Sequence, residues 1–283
     1  MSQRKQREYE TQHHPLTNGS TVSISRDTAH KYWIGSHGAG DNEKVRSVTT
    51  IAGWVDGDLF GAGMGWALQQ ARLNGGDLGA PARSSTAARQ EGDRLHQAID
   101  QYIKHGVVDE DDQLFVAWLN AVGLNHDWAV SEQFVYHPKL RYGGTIDAVS
   151  ADNPGDIVTL WDWKSKASNS YYSQKEKNGF GGYLKEYAQL AAYADALRAL
   201  GSLYAPTKGC IAYIMRDGSG VDVVEVDLKY GSKLFRASRQ IFRLTTGGAC
   251  WEHLEVDAWA SLGAVVCMAL CQKTCALTAS NLR

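Results

Sequence analysis

Apolar positions along the chain follow two different periods, and the change from one to the other marks out its parts. A helix is predicted after Asp58, a good N-cap, where Leu59, Phe60, Met64, Ala67, Leu68 and Ala71 fall at helical spacing before Gly75 and Gly76. A second begins near Ser84 and sets Ala88, Gly92, Leu95, His96, Ile99 and Ile103 on one face. A third follows the acids at 109–112 and buries Leu114, Phe115, Trp118, Leu119 and Val122, with Gly123 closing it. The period then shortens: strands are predicted at 128–136, 140–150 and 157–164, the first two joined by the turn His137-Pro138-Lys139. A helix over 183–200, a hairpin from 210–215 to 221–226, and helical segments near 230–244 and 255–278 complete the chain. The β-branched run at 47–51 reads as a strand, and 168–182, rich in Gly, Tyr and Lys, reads as a loop.

Before residue 44 the sequence mixes charges, His, Gly, Asn and Ser without a period, apart from a short ordered piece at Tyr32-Trp33-Ile34. Residues 1–43 are therefore expected to be loosely ordered, and 44–283 to form a single domain with C-terminal helices. At 283 residues and 43% hydrophobic the chain can bury a sizeable core. No stretch approaches the ~20 apolar residues of a bilayer span, and the first twenty residues have no apolar signal core. The five cysteines form no short disulfide frame, which suits a reducing compartment; a soluble, cytoplasmic protein without membrane contact is the expectation. A net charge of -2 and a pI near 6.5 mean that any contact with nucleic acid must be local.

The candidate chemistry lies in the last of the three strands. Alternation puts Val158, Leu160, Asp162 and Lys164 on one face, so a carboxylate and an ammonium project side by side. A hard divalent cation needs oxygen ligands, and a hydrolytic site also needs a group that orients water. The preceding strand offers Asp147 within Gly143-Gly144-Thr145-Ile146-Asp147, where small residues allow close approach. Two acids on adjacent strands repel one another unless a cation sits between them. Taken alone, Asp162 and Lys164 read equally well as a salt bridge, since such a triplet arises roughly once by chance in a chain of this size. Asp227-Leu228-Lys229 is a second copy, but it falls at a strand end with no acid-bearing strand just upstream.

Several further motifs stand in a telling order. His96 in Gly92-Asp93-Arg94-Leu95-His96, then Glu132, Gly144-Thr145-Ile146-Asp147, Asp162-Trp163-Lys164 and Gln189-Leu190-Ala191-Ala192-Tyr193 together resemble the RecB-like branch of the PD-(D/E)XK nucleases, over roughly residues 45–228. The resemblance implies an α/β (α+β) restriction-endonuclease-like fold, a mixed central sheet flanked by helices. It implies a Mg²⁺- or Mn²⁺-dependent deoxyribonuclease, an exonuclease on linear, single-stranded DNA or DNA with a free end, leaving 5′-phosphate products and serving replication or recombination proteins. In that family the residues matching His96, Asp147 and Asp162 hold the metal, the lysine matching Lys164 orients water, and those matching Gln189 and Tyr193 support it and contact DNA. Glu132 is carried over as a further catalytic acid. The competing expectation is an inert nuclease-fold module that binds DNA.

Tyr171, Tyr172, Lys175 and Lys177, with Lys166 and Lys185, read either as a local groove for a DNA strand or as a solvated loop. Relatives with an iron–sulfur cluster carry a cysteine before the histidine helix. Here none precedes Cys210, so Cys267, Cys271 and Cys275, with Cys250, are not expected to hold a cluster. The chain has no G-x-x-x-x-G-K-[ST] phosphate loop, so it is not itself a motor.

Overall fold

The computed structural model describes residues 9–35, 43–55, 62–151, 157–179 and 181–246. Its nine described strands form one mixed sheet, in the order β1-β2-β3-β4-β6-β7-β8-β9, with β5 paired to β6. These are β1 (Tyr9–Pro15), β2 (Thr21–Asp27), β3 (Tyr32–Ile34), β4 (Glu43–Ser47), β5 (Trp128–His137), β6 (Tyr142–Ala151), β7 (Val158–Lys166), β8 (Lys208–Met215) and β9 (Val221–Glu225). The helices are α1 (Val48–Ala52), α2 (Ala62–Leu73), α3 (Ala80–His105), α4 (Gln113–Ala121), α5 (Ser168–Asn178), α6 (Leu184–Leu200) and α7 (Leu228–Thr245). Among them none is long and apolar enough to cross a membrane.

The two faces of β7 show how the layers are built. Leu160 points into a core shared with Ile211, Tyr213 and α6, whose buried Ala188, Ala191, Ala192, Ala194 and Ala196 let the helix lie close to the sheet. Trp161 and Trp163 point the other way and stack at 5.6 Å, against Leu95 and Ile99 of α3 and Phe115 and Trp118 of α4. α4 starts where the Asp112 side chain accepts from the Leu114 and Phe115 amides. The α5–α6 segment is the crossover that a parallel pair requires, and β7 and β8 are parallel.

Three expectations are corrected. Residues 9–35 are not loose: they form β1, β2 and β3, antiparallel to one another and then to β4. Their buried contribution to the core is small, Ile24 and Tyr32 against Val45 of β4, Phe134 and Tyr136, so too few apolar positions alternate to give a strand signal. The β-branched run at 47–51 forms the short helix α1 after Ser47, because Val48, Ile51 and Ala52, at helical spacing, are the buried residues. The segment read as a loop contains α5, which buries Tyr171 and ends at Gly179 with φ of 76°. Asp58, the segment near 255–278 and Cys250, Cys267, Cys271 and Cys275 lie outside the described residues.

Candidate active site

β6 has β5 along one edge, while two strands share the other. β4 pairs in parallel with Tyr142 and Gly143, and β7 pairs antiparallel with 148–151. Residues 144–147 face the fork between them. Continuing the Ala148–Trp161 register by one step sets Asp147 opposite Asp162, where the ladder stops. There the Asp147 Oδ2 accepts from the Trp163 amide at 2.7 Å, so a side chain takes over the role of a strand partner. On the other edge Glu132 falls opposite Asp147, between the pairs Ser131–Ala148 and Gln133–Ile146. Glu132 has φ of 48°, a left-handed conformation that costs a side-chain-bearing residue about 1–2 kcal/mol.

α3 brings His96 to this point. Its Nε2 lies 3.2 Å from the Trp163 carbonyl, which can only accept, so Nε2 carries a proton. Nδ1 then faces Asp147 Oδ1 at 3.6 Å and Glu132 Oε1 at 3.7 Å. Burial works against protonation of His96, but Asp147 and Glu132 outweigh it and hold its pKa up at about 9. His96, Glu132 and Asp147 each offer a ligand atom within 4.8 Å of the others. A neutral imidazole lone pair among two carboxylates repels them unless a proton or a cation lies between. One N and several O donors, with the other ring nitrogen anchored on a carbonyl, suit a small divalent cation.

Asp162 is not in that trio. It is 1% exposed, its Oδ2 is 2.6 Å from Lys164 Nζ, and its Oδ1 accepts from Gln189 Nε2 at 3.3 Å. The ammonium lies off the hydrogen-bonding line, so Oδ2 is left without a well-formed hydrogen bond. Burial pushes the Asp162 carboxyl up to about 7, with Lys164 pulling it down and Asp147 pushing it further. Burial likewise raises Asp147, against the pull of His96 and Lys164. Burial disfavours the Lys164 ammonium, yet Asp162, Asp147 and Glu186 together hold its pKa above the usual lysine value. No family model matches the chain, nor does any curated protein. A solved crystal structure, that of SSO0001, is similar over 52% of this chain and 84% of its own, at 16% identity and a TM-score of 0.26.

α6 supplies the rest of the wall. The Gln189 amide reaches the Tyr193 hydroxyl at 3.5 Å, and the Tyr193 ring occupies the space that a side chain at Gly144 would need. A Cβ there would lie 2.6 Å from Tyr193 Cε1, so Gly144 makes room for the protein's own tyrosine, not for substrate. Gly144→Ala is expected to destabilise the fold by about 1–3 kcal/mol in urea unfolding, and Tyr193→Leu in the same chain to restore much of that. Additive losses in the double variant would show that the two positions do not compete for space.

Lys166 is 2.5 Å from Glu186 Oε1 and lies over the Tyr183 ring at 4.5 Å. Lys175 is paired with Asp222, and the Tyr171 hydroxyl donates to the same carboxylate, leaving Tyr172 as the exposed aromatic of α5. The sequence reading missed Glu186, which is buried, accepts from the Tyr213 hydroxyl and the Tyr183 amide, and adds to the field at Lys164. Its signal was the spacing Tyr183-x-x-Glu186 at a helix start, that of a capping residue.

Proposed function

We propose that the protein is a metal-dependent deoxyribonuclease of the PD-(D/E)XK type, RecB-like in its motif order, and an exonuclease on linear DNA. The observation that carries this reading is the meeting of Asp147 and Asp162 where the β6–β7 ladder ends, with Lys164 against Asp162 and His96 and Glu132 on the far side. The mixed sheet flanked by helices accords with the nuclease architecture. His96, Glu132 and Asp147 would hold Mg²⁺ or Mn²⁺, with Asp162 adjoining, and the cation would neutralise charge on the scissile phosphate.

The chain's own groups do the remaining work. The Lys164 ammonium, kept charged by the surrounding acids, holds the attacking water and stabilises negative charge building on phosphate oxygens. Gln189 fixes the Asp162 carboxylate from the opposite side and so sets the lysine's position. The Trp163 carbonyl fixes the His96 ring and the Trp163 amide fixes Asp147, so one peptide segment orients two donors.

The test incubates the protein and its Asp162→Asn variant with end-labelled linear single- and double-stranded DNA and with a closed circle, in Mg²⁺, Mn²⁺ or chelator. Ladders from linear DNA alone, ending in 5′-phosphates and lost with chelator or with the variant, are expected. Intact DNA in every lane, with binding retained, would overturn the hydrolase and favour an inert DNA-binding module.

A further inference from the structure

The strained backbone at Glu132 is held by a residue far away in the chain. Gln12, on β1, accepts from the Phe134 amide through Oε1 at 2.7 Å and donates from Nε2 to the Glu132 carbonyl at 2.9 Å. A carbonyl can only accept and an amide N–H can only donate, so this pair of contacts fixes which end of the Gln12 amide is which. The same Nε2 lies 3.3 Å from Glu10 Oε1. β1 does not pair with β5 through its backbone. The Gln12 side chain therefore acts as a one-residue strand partner for the two peptide groups on either side of Gln133, just where β5 departs from extended geometry. It is half-buried, on the same side of β1 as the buried His14.

We propose that Gln12 is a positioning residue for the acid cluster: by clamping the left-handed backbone of Glu132 it aims that carboxylate at His96 and Asp147. The N-terminal hairpin is then part of the support for the divalent cation site, not an appendage to the sheet. This rests on the metal reading of that site. Removing one supporting partner of a metal ligand weakens binding by about 10–100-fold in general, without touching the ligand itself.

The experiment titrates Mn²⁺ calorimetrically into the intact chain, Gln12→Ala, Glu132→Gln and the double variant, with melting temperatures alongside and hydrogen exchange at the Phe134 amide followed by NMR. Thr11→Ala is the control, since Thr11 bonds Ser25 within the hairpin and not β5. The expected result is a roughly tenfold or greater loss of Mn²⁺ affinity in Gln12→Ala. Faster Phe134 exchange, a melting temperature like that of Thr11→Ala, and no further loss when Glu132→Gln is added should accompany it. Parent-like Mn²⁺ affinity in Gln12→Ala, or losses that multiply in the double variant, overturn the positioning role and leave the metal site standing. A parent chain that binds no Mn²⁺ overturns the metal reading, and this inference with it.

Discussion

Lys164→Ala should cleave linear DNA roughly 10²–10³-fold more slowly than the parent, the cost of removing one preorganised charge from a transition state. It should do so without losing the cation. The ammonium is 2.6 Å from Asp162 and close enough to Asp147 to favour ionisation of both, so removing it takes a positive charge away from the place a second positive charge must enter. Mn²⁺ affinity is therefore expected to hold or rise while turnover collapses, the opposite of the pattern for Asp147→Asn, where both fall. Lys164→Arg should not restore the rate, because a planar guanidinium cannot take the single close contact that a compact ammonium makes beside a nearly fully buried carboxylate. Initial rates with Mg²⁺ and a Mn²⁺ titration decide it. A Lys164→Ala rate within about threefold of the parent would remove lysine from the chemistry.

The part of this site that was legible in the sequence is the part built from strand alternation. With a two-residue period, Asp162 and Lys164 had to share a face once β7 was recognised, and Asp147 followed from the neighbouring strand. The competing Asp227-Leu228-Lys229 was separable for the same reason: Asp227 accepts from the Lys229 and Tyr230 amides and caps α7, a role that depends on its place just before a helix. The helical face that carries His96 was also visible, since Leu95 and Ile99 of the same stripe are buried.

What stayed hidden depends on distance in the chain or on backbone angles that side-chain pattern does not encode. Alternation gives Glu132 an ordinary strand position, whereas its carboxylate reaches His96 from a left-handed backbone. That conformation depends on Gln12, which no local pattern connects to β5. The expected ligand set of His96, Asp147 and Asp162 named three groups near the fork, but the trio whose ligand atoms lie within 4.8 Å of one another includes Glu132 in place of Asp162, whose oxygens lie against Lys164 and Gln189. Lys166 was read as a DNA contact from its charge. In the fold its stem carries the ammonium to Glu186, a partner twenty residues on that only the crossover brings near.

In chelator, folding stability should peak near roughly pH 4 and fall towards pH 9, and Mg²⁺ should flatten that decline. Asp162 is held at about 7, so between roughly pH 4 and 7 the folded protein keeps a proton that the unfolded chain has already released, and stability drops across that window. A shift of that size corresponds to a change on the order of 4 kcal/mol. His96 adds a decline of the same sign: its proton is held up to about 9 in the fold, so its contribution is complete below about 6.5 and lost as pH rises through 9. Glu186 and Asp222 act at the other end. Burial opposes their ionisation, but Lys166 and Lys175 more than compensate, so their contribution fades only as pH falls below the ordinary carboxylate range and sets the acid side of the maximum. A divalent cation bound among the ionised acids takes the place of the protons, and its stabilisation must therefore be larger at pH 8 than at pH 5. Urea midpoints from roughly pH 3 to 9, with EDTA and with Mg²⁺, measure both limbs, and Asp162→Asn should lose the part between about pH 4 and 7. Superimposable profiles with and without Mg²⁺ would mean that the acids at the fork are neutralised from within the chain, and the case for a metal there would fall.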